Sequence, residues 1–200
     1  MKEDQGSKTP VRVQVSFTDY PMGVFGVAQA EIGGCGMFIL LDESHYLSCC
    51  LAIGRSTNTQ AELVVLWALL LLAKRKKIHV LNIFGDSRVV IDWKNGKVTL
   101  RIFNLVQWIN DRIKEISSHF ASLTVTHIYR QYNIRVDELF KKALDYIMGR
   151  LFFQEFRDVE EIKRGHETLL TSLVTFLFFV ESGLFWLPFT ALLIPSWDVF

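Results

Sequence analysis

The sequence predicts an α/β domain built on a mixed sheet with helices on both faces, followed by an apolar C-terminal extension. Three observations carry this reading. The first quarter of the chain alternates apolar and polar residues, or places short apolar runs between glycines, as strands do. A long Leu- and Ala-rich segment without Gly or Pro follows, as a helix requires. Helical segments then separate the later strands, which implies parallel pairing there, whereas the first three strands are joined by short turns and pair antiparallel. The 200 residues are 50% hydrophobic, 13% aromatic and 22% charged. That composition excludes wholesale disorder, and the length leaves room for one domain of about 130 to 160 residues plus an extension. The expected divisions are a polar lead-in over 1–9, the domain over 10–148 and a hydrophobic tail over 149–200.

Val11, Val13 and Val15 alternate with Arg12, Gln14 and Ser16, so a strand is expected from about Pro10. MGVFGVA (22–28) is strand-like too. The glycines of GGCG (33–36) mark a tight turn or a close backbone approach before the apolar run MFILLD, and HYLSCCLAIG (45–54) completes an antiparallel meander closed by Gly54. AELVVLWALLLLAKR (61–75) is the clearest helix, its basic run Lys74 to Lys77 suiting a helix C-terminus. After it come a short strand, HVLNIFGD (79–86), an amphipathic stretch around VVIDW, a helix near 103–120, a strand, LTVTHIYR (123–130), and a last helix, VDELFKKALDYIM (136–148). The expected sheet has five strands.

Cys35, Cys49 and Cys50 are odd in number and two are adjacent, a poor disulfide framework that fits a reducing, cytoplasmic or nuclear setting; no disulfide partner is expected. The net charge of +1 hides a split: residues 10–149 carry 16 Lys/Arg against 12 Asp/Glu, and residues 150–200 carry 4 against 7. The cationic front is compatible with a polyanionic partner. MKEDQGSKTP has no apolar core and does not read as a secretory signal. The runs 169–180 and 183–195 are almost wholly apolar but are broken by Glu181, Ser182 and Pro188. They read as a borderline membrane span, a hydrophobic helix packed on the domain, or an unselected translated tail; Glu181 favours weak or no membrane integration, since a charge at mid-span costs about 2.5–3.5 kcal/mol.

Three acids fall where the expected fold can bring them together: Glu62 in the first turns of the long helix, Asp86 at the end of a strand and Asp137 at the opening of the last helix. Carboxylates that converge repel one another, and hard oxygen donors of this kind suit Mg²⁺ or Mn²⁺, a pair of which can activate water against a phosphodiester. Each acid also has a plain reading. Thr59 and Glu62 have capping-box spacing, Asp86 can cap the helix after it, and Asp137 can complement a helix dipole. His127, alternating with Val125 and Tyr129, reads equally as a structural strand residue.

The words around these acids, STNTQAEL, IFGDSRVVIDW and HIYRQYNIRVDELFKKAL, resemble in order and separation the three later motifs of ribonuclease H type 1 domains of the kind that accompany reverse transcriptases in plant retroelements. The resemblance covers roughly residues 11–147. It implies a ribonuclease H-like fold, a mixed five-stranded sheet, and metal-dependent hydrolysis of the RNA strand of RNA/DNA hybrids by four acids holding two Mg²⁺ (or Mn²⁺). Glu62, Asp86 and Asp137 would be the second, third and fourth acids, with His127 aiding product or proton release and Asn133 matching the asparagine ahead of the last acid. Two placements compete for the first acid: Asp19, after the alternating strand, or the segment FGVAQAEIGGCGMFI, which puts Gly26 there and leaves no ligand. Asn58, Thr59, Gln60 and Asn133 are candidate polar contacts to the hybrid, and Arg88, Arg130 and Lys94 candidate phosphate contacts. A catalytically inactive nucleic-acid-binding module and a retroelement remnant are the alternatives to an enzyme.

Overall fold

A computed structural model describes residues 22–28, 33–54, 56–100, 105–143 and 145–169. The expected strand at 11–16, Asp19, and the apolar runs beyond 169 lie outside the described residues. Strands β1 (Met22–Ala28), β2 (Gly33–Leu40) and β3 (His45–Gly54) form the antiparallel meander. Helix α1 (Asn58–Arg75) leads to β4 (Val80–Gly85), α2 (Arg88–Lys94) and α3 (Leu105–Ser117) to β5 (Ser122–His127), and α4 (Ile134–Ala143) follows a 3₁₀ turn at Arg130–Tyr132. β4 pairs parallel with both β1 and β5.

Among the described residues the sheet has seven strands rather than the expected five. The two additions are a hairpin, β6 (Arg150–Arg157) and β7 (Glu160–Thr168), which extends the β3 edge over residues assigned from sequence to the tail, so that the strand order is β5-β4-β1-β2-β3-β6-β7. Its two-residue turn, Asp158 and Val159, has positive φ at both positions (50° and 71°), the form that matches strand twist. Asn-Gly or Asp-Gly signals such a turn in a sequence. A β-branched valine does not, so the hairpin was hidden.

Residue alternation divides the sheet into two faces. Phe25, Met37, Ile39, Leu51 and Ile53 point to the face covered by α1 and are fully buried. α1 is apolar nearly all round because it is enclosed by the sheet on one side and α3 on the other. α4 crosses the opposite face, setting Val136 against Gly26 and Gly36, and Leu139 against Gly36. The approach at Gly36 is backbone to backbone: a Cβ there would lie 2.4 Å from the Val136 carbonyl oxygen. Gly36→Ala is therefore expected to destabilise the fold by about 1–3 kcal/mol, read as a lower urea midpoint, because α4 must back away from the sheet.

The hairpin is tied to the domain by a buried carboxylate. Glu155 is 6% exposed and accepts from Lys76 Nζ at 2.8 and 2.9 Å and from His45 Nε2 at 2.8 Å. On the other face Phe156 stacks on Tyr46, and Tyr46 on Phe38, at 4.9 Å centroid spacing. Burial acts to raise the Glu155 pKa, but the hydrogen bonds from Lys76 and His45 outweigh it and hold it below the usual glutamate value. A depressed folded-state pKa means stability that is complete above about pH 4.3, the unfolded value, and is lost as pH falls through the lowered folded value. Glu155→Gln should remove that acid-side loss and cost about 1–3 kcal/mol at pH 7, measured by thermal unfolding across pH 3–7.

Candidate active site

The carboxyl ends of β1, β4 and β5 share one edge of the sheet, the usual location of ligands in α/β folds. Register decides which residues meet there. Phe25 of β1 pairs with Gly85 of β4, so Gly26 stands abreast of Asp86, and a Cβ on Gly26 would lie 3.2 Å from Asp86 Oδ1. β1 is thus the 22–28 segment, and it presents glycine, not a carboxylate, beside Asp86.

The first turns of α1 bring Glu62 to the same place. The cap of this helix is not Thr59 with Glu62, as the spacing suggested, but Thr57 with Gln60: Thr57 Oγ1 accepts from Gln60 N at 3.3 Å, and Gln60 Oε1 accepts from Thr57 N at 2.9 Å. Glu62 is thereby released from capping. Its Oε2 accepts a short hydrogen bond from Ser87 Oγ. Ser87, not Asp86, caps α2, accepting from Val90 N at 3.4 Å. Burial raises the Glu62 pKa and the charge of Asp86 adds to the rise, while the Ser87 hydrogen bond and the Arg130 guanidinium oppose it. Two half-buried carboxyls side by side are thus held under mutual repulsion, a condition a cation relieves.

The other candidates divide. His127 ends β5 in register with Gly85, its ring edge-on to Tyr129 at 5.6 Å. Asn133 is 2% exposed; its Nδ2 donates to the Phe25 carbonyl at 2.9 Å and would lie 2.6 Å from a Cβ on Gly26, while its Oδ1 finds no partner among the described residues. The space beside Gly26 is thus occupied by an amide. Asn58 and Thr59 stand at the α1 N-terminus close in sequence to Glu62, but the Gln60 oxygen is engaged in the cap. Arg88 is turned along its own helix onto Asp92 at 3.3 Å, and Lys94 lies at the end of α2 away from Ser87, its pKa lowered by burial. Asp137 is the fourth residue of α4; its side chain lies outside the described residues. Ser87 is the residue that sequence reading missed. The Asp-Ser step between a strand and an apolar run was its signal, read only for Asp86.

Among the described residues no group of three or more His, Cys, Asp or Glu side chains could hold a metal ion. Among the described residues the carboxylates that meet here are those of Glu62 and Asp86, hard oxygen donors that suit a divalent cation. β1 adds none: Gly26 stands where a carboxylate shared between two ions would come from, and Asn133 fills the space beside it.

Strand order, the parallel β1-β4-β5 set and α1 and α4 on opposite faces define a ribonuclease H-like α/β domain. Residues 23–143 match the reverse transcriptase-like family, and the chain belongs to that family. It is similar to ribonuclease H1 from the halophilic archaeon Halobacterium salinarum, at 26% identity and a TM-score of 0.57, over 62% of this chain and 97% of that one. LC11-RNase H1, solved in complex with an RNA/DNA hybrid, aligns at 21% identity and a TM-score of 0.56 over 62% and 96%. The N-terminal RNase H domain of a Mycobacterium tuberculosis protein, solved as a fusion with maltose binding protein, aligns at 21% and 0.54 over 62% and 94%. No curated protein matches the chain. The β6–β7 hairpin lies beyond the family-matched span.

Proposed function

We propose that this chain recognises RNA/DNA hybrids through a ribonuclease H-type site and hydrolyses the RNA strand weakly, with a divalent cation, because β1 lacks the first acid. The observation that carries the reading is the meeting of Glu62 and Asp86 at the carboxyl edge of the parallel strands, with Ser87 bonded to Glu62. A Mg²⁺ or Mn²⁺ ion bound there would polarise water and offset charge on the scissile phosphate. Glu62 and Asp86, with Asp137 as the proposed third acid, would hold it; Ser87 fixes the Glu62 rotamer; Asn58 and Thr59 at the positive end of α1 face the backbone. His127, at the same sheet edge, would exchange a proton with the leaving oxygen or product. The motif words STNTQAEL, IFGDSRVVIDW and HIYRQYNIRVDELFKKAL support an origin among reverse-transcriptase-associated domains of plant retroelements.

Gly26 also favours a second reading, in which the site binds hybrid without cutting it. A 5′-labelled hybrid incubated with the full chain in Mg²⁺ or Mn²⁺ separates the two. Slow release of RNA fragments with 3′-hydroxyl ends, abolished by chelation, supports cleavage; intact RNA with hybrid retained in chelator supports the binding module. Failure to bind or cut hybrid under any of these conditions ends both.

A further inference from the structure

Between β5 and α4 the chain describes a narrow arc with both ends fixed. Ile128 N donates to the Gly85 carbonyl at 2.9 Å at one end, and at the other Asn133 is anchored through its side chain to Phe25 at 2.9 Å. The 3₁₀ turn closes it, Tyr132 N to Tyr129 O and Asn133 N to Arg130 O, each 2.9 Å. This braced turn displays apolar side chains among polar ones: Tyr129 is 69% exposed, Tyr132 44% and Ile134 62%, with Arg130 and Gln131 exposed between them. Folding gains about 1.5–3 kcal/mol by fully burying a large apolar side chain, and the turn forgoes that gain at three positions within six residues, leaving two tyrosine rings for a partner to cover. Cations are interleaved with the rings. Arg135 is turned onto the Phe38 ring at 5.2 Å, while the Arg130 charge reaches Glu62.

We propose, resting on the reading above, that Tyr129 and Tyr132 are nucleic-acid contacts whose ring faces pack on the sugar and base of the strand leaving the Glu62–Asp86 pair. Ordering a tyrosine costs little entropy, since it has two side-chain torsions. Ring contact tolerates every sequence, because each base has a π-face. Arg130 beside them provides the charge that a phosphate backbone seeks. The turn is a stiff mount that holds two rings at a set distance from the acids.

The test measures hybrid affinity by fluorescence anisotropy on the full chain carrying Asp86→Asn, so that the RNA stays whole. Tyr129→Ala and Tyr132→Ala should each weaken binding about tenfold, and Tyr129→Phe and Tyr132→Phe should stay within about twofold of the parent. The salt dependence of binding should keep its slope in all four, since no phosphate-neutralising charge is removed. Thermal unfolding should be unchanged, both rings being exposed. The proposal is overturned if the parent binds and the alanine variants bind equally well, if phenylalanine weakens binding as much as alanine, or if the alanine variants unfold. If the parent binds no hybrid while the Asp86 chain of native sequence does, the contact belongs to the cation rather than the rings; if neither binds, the functional reading falls and this proposal with it.

Discussion

Placing aspartate at Gly26 is expected to raise Mg²⁺-dependent cleavage of hybrid RNA about a hundredfold, the scale on which a single preorganised charged or hydrogen-bonding group acts in a site. The geometry behind this is local. A Cβ on residue 26 would lie 3.2 Å from Asp86 Oδ1, so a carboxylate built on it joins the Glu62–Asp86 pair and supplies the acid that β1 lacks. The same Cβ lies 2.6 Å from Asn133 Nδ2 and 3.0 Å from Val136 Cγ1, so Asn133 must swing aside and α4 must give. Gly26→Asp should therefore lose about 1–3 kcal/mol of stability while gaining activity. Cleavage that stays at the native level in a variant that folds and melts cooperatively would show that the absent acid is not what limits the site.

The second large effect concerns the acids present. Asp86→Asn and Glu62→Gln should each lower cleavage by roughly 10²–10³-fold, measured as initial rates on labelled hybrid. Glu62 adds a pH signature. Its carboxyl is held above the ordinary glutamate range by burial first and by Asp86 second, so the group must lose its proton at a higher pH than usual before it can hold a cation. The acid limb of the rate profile should accordingly lie above the range of an exposed glutamate. Ser87 works against the rise, so Ser87→Ala should move that limb upward, whereas a purely structural serine would leave it in place. For stability the sign is opposite to that of Glu155. A raised folded-state pKa means that stability falls as pH climbs from the unfolded value through the folded one, and Glu62→Gln should remove that fall. A rate profile with the same acid limb in the native and Ser87→Ala chains would count against Glu62 as the titrating group.

Much of the fold follows from local pattern. The meander, α1, β4, β5 and α4 were legible because period-two alternation, the GGCG glycines and a Gly- and Pro-free apolar run are properties of neighbouring residues. The order and spacing of Glu62, Asp86 and Asp137 were legible for the same reason. Pairing across the sheet was not. Whether Asp19 or Gly26 stands beside Asp86 depends on the β1–β4 register, which is set by how Phe25 fills the core and how α4 packs on Gly26 and Gly36. Likewise the cap of α1 fell to Thr57 and Gln60 only because the helix begins at Asn58, a shift of two residues that the T-x-x-E spacing misread.

Local pattern settled the strand or helix character of the meander, α1, β4, β5 and α4 and the order of the acids, since those choices rest on side-chain periodicity and on the conformational limits of glycine and β-branched residues. Tertiary structure alone decided that a glycine faces Asp86, that Ser87 clasps Glu62 while capping α2, and that Glu155 fastens an extra hairpin to Lys76 and His45. Apart from the local cap, these contacts join residues 25 to 110 positions apart, and they form only when burial of the apolar faces fixes one register among several that the local pattern allows.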